Sequence, residues 1–142
     1  MTVLEELEQE IYDENIEIVE YDKIEEPSMI TKDKENYVTI VINKKKIKSE
    51  CELVMFLSHE FSHHETRGYY HPYMLKSYKW KMERTADVSS VKRLVPIKRL
   101  RQMLFDGWGY SRFDMAEEFC VTEDFIDKSI HIYQQLNMLP QW

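Results

Sequence analysis

The chain has 142 residues, a formal net charge of −7, 43% hydrophobic and 13% aromatic residues, and two cysteines. That is enough apolar side chain for one packed domain and too much for a disordered chain. No apolar run approaches the ~20 residues needed to span a bilayer, and two cysteines make neither a disulfide framework nor a metal-ligand pattern, which excludes the membrane-spanning and disulfide-stapled classes.

The stretch Met1 to Glu10 is acidic and lacks a basic-then-apolar leader, so a cytoplasmic protein is expected, with Cys51 and Cys120 as reduced thiols. Charge is unevenly placed. Residues 1–35 hold 13 acidic and 3 basic side chains, a balance of −10, whereas residues 36–142 hold 13 acidic and 16 basic, a balance of +3. An acidic front of this kind suits a solvated surface, or a docking face for a basic partner such as a DNA-binding protein.

Thr2-Val3-Leu4-Glu5 spells a capping box, and Leu4, Leu7 and Ile11 mark one face of the helix it opens. From Asn15 to Tyr21 the pattern alternates, with Ile16 and Ile18 on one side, which predicts a half-buried strand. Glu25-Glu26-Pro27-Ser28 predicts a turn. The stretch from Tyr37 to Ile42 is apolar on both faces, which predicts a strand inside a sheet rather than at its edge. Asn43 and the run Lys44-Lys45-Lys46 then turn the chain, and the lysines read as a solvated turn rather than a nucleic-acid contact.

Ser49-Glu50-Cys51-Glu52 is a second capping box. Leu53, Phe56, Leu57, Phe61 and His64 follow at helical spacing, with no Pro or Gly before Gly68. Within that helix lie His59-Glu60-Phe61-Ser62-His63, the pattern H-E-x-x-H. Positions i and i+4 share a helix face, so His59 and His63 can hold one metal ion, with Glu60 beside them to take a proton from water. A catalytic zinc keeps three protein ligands and an open position. Glu83, in Glu83-Arg84-Thr85-Ala86-Asp87 on the next helix, can supply the third. His71 and Asp87 are its rivals. If Glu83 is the ligand, Asp87 one turn on can accept a hydrogen bond from the free ring nitrogen of a ligand histidine. Thr66 and Tyr69 stand where a metzincin needs glycine and histidine, which excludes that subclass. Between the two helices, Tyr70 and His71 are candidate donors to a developing oxyanion, within an aromatic cluster that would otherwise serve packing.

The second helix should end at Pro96. A short helix over Ile97 to Phe105 follows, with Leu100 and Leu104 buried. After Gly107 and Gly109, Ser111 starts a helix with Phe113, Ala116 and Phe119 inward. Thr122 caps a last helix, whose inner face is Phe125, Ile126, Ser129, Ile130 and Tyr133. That pair has helix-turn-helix spacing. The segment Asp114 to Leu139 carries six acidic side chains (Asp114, Glu117, Glu118, Glu123, Asp124 and Asp127) against the one basic Lys128, so no direct nucleic-acid binding is expected. His131 reads as a surface or packing residue.

The H-E-F-S-H stretch at 59–63, the E-R-T-A-D stretch at 83–87 and Leu94-Val95-Pro96 closing the second helix resemble the ImmA/IrrE-type zinc metallopeptidases of bacteria, phages and mobile elements. The resemblance runs from about residue 37 to the end. It implies an α+β, zincin-like core, a small sheet packed on two site helices, over residues 1–106, with a helix-turn-helix-like C-terminal extension over 107–142 packed on it in one domain. It further implies His59, His63 and Glu83 as zinc ligands, Glu60 as catalytic residue, and a helix-turn-helix repressor as substrate. Ser62 where glycine is usual, Asp87 where asparagine is frequent, and Val88-Ser89 in place of an aromatic-plus-small pair depart from the family pattern without touching a proposed ligand.

The function expected is therefore a gluzincin-like metalloendopeptidase that cleaves a repressor of a phage or mobile element and derepresses its genes. Two imidazoles and a carboxylate suit zinc, though manganese or iron can occupy such a set. The alternative is a non-proteolytic anti-repressor or regulatory binding protein that keeps the fold. A DNA-binding regulator and a toxin–antitoxin-type partner are further rivals.

Overall fold

The computed structural model describes residues 1–69, 74–106 and 109–141. Among them are six α-helices and a three-stranded sheet, an α+β chain. Two compact units divide it, Met1–Ser90 and Val91–Trp142. The division falls inside the third helix.

In the first unit, α1 (Val3–Asp13) opens on a complete capping box: Glu5 N donates to Thr2 Oγ1 at 3.1 Å and Thr2 N to the Glu5 carboxylate at 3.2 Å. Leu7 and Ile11 are its buried face. The sheet follows, as β1 (Ile16–Glu20), β2 (Ser28–Lys32) and β3 (Val38–Ile42), in the order β1-β3-β2. β3 runs parallel to β1, with Ile16 opposite Val38, and antiparallel to β2, with Ser28 opposite Ile42. The order follows from the side chains. β3 buries Val38, Ile40 and Ile42 and half-buries Thr39 and Val41, so both its faces belong inside. Glu17 and Glu20 on β1 and Thr31 and Lys32 on β2 stay in water, as edge strands require.

The central position of β3 was legible in the sequence, but β2 was not expected. Ser28 belongs to that strand rather than to the turn read at 25–28. The lysine run is a short 3-10 turn (Lys44–Lys46) capped by Asn43, and its charges are used locally: Lys44 Nζ lies 2.8 Å from Glu20 and Lys45 Nζ 2.8 Å from Asp22.

Helix α2 (Glu50–Glu65) starts at Ser49, whose hydroxyl accepts from Glu52 N at 3.1 Å. It ends in a Schellman motif: Arg67 N donates to His64 O at 3.2 Å and Gly68 N to His63 O at 2.8 Å. The residue in the left-handed conformation is Arg67, φ 56°, and not Gly68. Val54, Leu57, Ser58, Glu60, Phe61, Ser62 and His63 are all buried, so the helix is covered well beyond a single stripe. Helix α3 (Lys76–Leu94) buries Ala86 and Ser90, and the Ser90 hydroxyl meets that of Ser58 at 2.9 Å.

The second unit holds the end of α3 with α4 (Ile97–Phe105), α5 (Arg112–Phe119) and α6 (Glu123–Gln135). Its core mixes aliphatic and aromatic side chains, with Val91, Val95, Leu100, Ile126, Ile132 and Tyr133 among the most buried. In α4, Met103 rather than Leu104 joins Leu100 inside, and in α5 Met115 takes the place expected for Phe113, which is exposed. The apolar stripe moves by one residue in α4 and by two in α5, at helical spacing in both. All five residues expected on the inner face of α6 are buried. Ser111 caps α5 through a capping box with Asp114, and Thr122 caps α6.

Cys51 and Cys120 are disulfide-bonded, which corrects the expectation of two reduced thiols. No helix among the described residues is long and apolar enough to cross a membrane.

Candidate metal centre

His59 and His63 project from the same face of α2 because they are one turn apart, and Glu83 comes from the middle of α3. Their polar atoms form a small triangle. His59 Nε2 lies 3.2 Å from His63 Nε2 and 3.0 Å from Glu83 Oε2, and His63 Nε2 lies 3.1 Å from Glu83 Oε1. Zinc binds nitrogen and carboxylate oxygen at about 2.1 Å, and a tetrahedron of that radius has edges of about 3.4 Å. The three atoms therefore stand within a few tenths of an ångström of the spacing that three ligands of one tetrahedral ion adopt. This group can hold a metal ion. The two rings meet edge to face with centroids 4.8 Å apart.

The site is held from behind. His59 Nδ1 lies 3.4 Å from Asp87 Oδ1, on the far side of the ring from the triangle. Asp87 thus stands behind His59 rather than at a corner of the triangle. It fixes the tautomer that leaves Nε2 free to coordinate. Burial works against a charge on His59, but the hydrogen bond to Asp87 and the charges of Glu60, Glu83 and Asp87 outweigh it and hold the ring pKa above its ordinary value. A concentration of negative charge that favours a cation on one imidazole favours a metal cation in the same place.

Glu60, between the two histidines, is only 6% exposed. Its Oε2 accepts a 2.6 Å hydrogen bond from the hydroxyl of Ser28, itself 8% exposed, on β2. Sequence reading missed Ser28. The only signal was the short apolar pair Met29-Ile30 with the β-branched Thr31, too brief and without alternation to separate from the turn before it.

His64, the remaining histidine of α2, is engaged elsewhere. Its Nδ1 bonds the Tyr69 hydroxyl, its Nε2 lies 3.9 Å from Glu14, and its ring stacks on Phe61. Burial, the largest influence, lowers its pKa, with Arg67 and Lys32 adding to the effect and Glu14 opposing it. Tyr70 and His71, expected as oxyanion donors, and His71 as a rival ligand, lie outside the described residues. His131, exposed on α6, contacts Gln135 at 2.9 Å.

No protein-family model, curated protein or solved structure matches the chain.

Proposed function

We propose that the chain is a zinc-dependent endopeptidase of the ImmA/IrrE type, with a zincin-like core and a helix-turn-helix-like C-terminal pair. Its substrate in this reading is a helix-turn-helix repressor of a phage or mobile element, whose cleavage derepresses the element's genes. The observation that carries the proposal is the 3.0–3.2 Å triangle of His59, His63 and Glu83 with the Glu60 carboxylate next in the chain. Two imidazoles and one carboxylate make a three-ligand set that leaves a position open, the pattern of catalytic rather than structural zinc. A bound zinc would supply Lewis acidity, polarising a peptide carbonyl and making water a stronger acid.

The chain's own residues do the rest. Glu60 takes a proton from the attacking water and delivers it to the leaving amine. Asp87 keeps His59 in the tautomer that presents Nε2. Tyr70 and His71 are retained, on sequence grounds, as donors to the oxyanion.

A repressor substrate sets the protein in the cytoplasm. Thiols are kept reduced there, whereas Cys51 and Cys120 are disulfide-bonded. Alkylation of the protein as it leaves the cell decides between the two states: labelling at both cysteines supports the cytoplasmic reading, and protection opposes it.

The test of the function is incubation of the zinc-loaded protein with the helix-turn-helix repressor encoded next to its gene, beside Glu60→Gln. Shortening of the repressor by the unsubstituted protein alone is the expected result. Relief of repression by both proteins without cleavage would replace this reading with that of a binding anti-repressor.

A further inference from the structure

The Ser28–Glu60 hydrogen bond joins two elements far apart in sequence, an edge strand and the site helix. Both groups are buried, so no bulk water competes for either, and the 2.6 Å separation is typical of a hydroxyl donating to a charged carboxylate. Ser28 is held in turn by the sheet, opposite Ile42 at the end of β3. A carboxylate on a flexible side chain has two terminal torsions to settle. A donor on one oxygen, fixed to a strand, settles them.

We infer that Ser28 is a positioning residue for Glu60: it pins one carboxylate oxygen and leaves the other turned to the reacting water. The inference rests on the reading of Glu60 as the proton-transfer group. Ser28 meets neither substrate nor metal in this role and acts only through Glu60.

The experiment pairs Ser28→Ala and Ser28→Thr with Glu60→Gln and the Ser28→Ala/Glu60→Gln double variant, using two probes. The first is cleavage of the same repressor by the zinc-loaded protein. Ser28→Ala is expected to lower kcat by about tenfold to a hundredfold, the range for misplacing a proton-transfer group, with KM little changed. Ser28→Thr, which keeps the hydroxyl, recovers most of the loss. In the double variant the serine change adds nothing to Glu60→Gln, because a residue that acts through another has no effect once that other is gone. Additive losses overturn the inference, as does a loss of zinc content in Ser28→Ala, which would make Ser28 a general structural support.

The second probe is the visible spectrum of the cobalt(II)-substituted protein, which needs no turnover. Ser28→Ala should move the bands in the direction that Glu60→Gln moves them, and Ser28→Thr should restore them. If the repressor is never cut but the cobalt spectra follow this pattern, the peptidase reading fails and the positioning role stands. Spectra that respond to Glu60→Gln and not to Ser28→Ala sink the positioning role whatever the activity. If they respond to neither variant and no cleavage occurs, both fall.

Discussion

Gly68 lies against the ring of His63: a Cβ at this position would stand 3.3 Å from His63 Nδ1 and 3.4 Å from the Cβ of Met82. The glycine just past α2 is therefore explained by space. Its φ is not in the left-handed region, which Arg67 occupies instead. Gly68→Ala would push on the ring of His63, a corner of the candidate metal triangle. The expected result is a loss of zinc affinity of about tenfold, comparable to disturbing other groups behind a ligand. Chelator competition measures it, and unchanged affinity would show that the ring has room to yield.

Arg67 gives a prediction of opposite sign. A side chain in the left-handed region costs about 1 kcal/mol that glycine does not incur. Arg67→Gly should raise the unfolding free energy by about that amount in urea titration, while zinc content stays the same. A destabilised variant would mean that the arginine side chain contributes more than its backbone strain costs.

Asp87 and Glu83 should separate cleanly in metal binding. Glu83 supplies a corner of the triangle, 3.0 Å from His59 Nε2, whereas Asp87 sits 3.4 Å behind the same ring. Asp87→Ala is expected to weaken zinc about 10- to 100-fold and leave one ion per chain at saturation. Glu83→Ala should abolish stoichiometric binding at the same zinc concentration. Equal losses in both would mean that Asp87 coordinates.

Tyr133 ties the second unit to pH. Its hydroxyl donates to Val95 O at 2.7 Å, and burial pushes its pKa up to about 12. The unfolded phenol ionises near the ordinary value of about 10. Stability from the neutral buried phenol is thus fully present below pH of about 10 and is lost as pH rises from there through about 12. Tyr133→Phe should cost about 1 kcal/mol at neutral pH, leaving Val95 O without this donor, and should flatten the alkaline decline. Urea midpoints across that range test both parts, and a decline that persists in Tyr133→Phe would assign it to another group.

Much of this molecule can be read from the chain alone, for reasons of local geometry. H-E-x-x-H on a helix puts His59 and His63 on one face whatever surrounds them, and Ser49, Thr122 and Thr2 mark helix starts through bonds spanning three residues. The stretch 38–42, apolar but for Thr39, carries apolar side chains on both faces and so belongs in the middle of a sheet. The burial of α2 is different. Ser58, Ser62 and Glu60 look like a solvated face in sequence and are covered because neighbouring elements close over them. The same holds for β2, whose five mixed residues become a strand only by pairing with β3, and for Ser28, which meets Glu60 across 32 positions of chain. Spacing determines which residues share a face. Which faces then meet, and so whether Glu83 and Ser28 reach the histidines and the glutamate, is decided by long-range packing that no local pattern encodes.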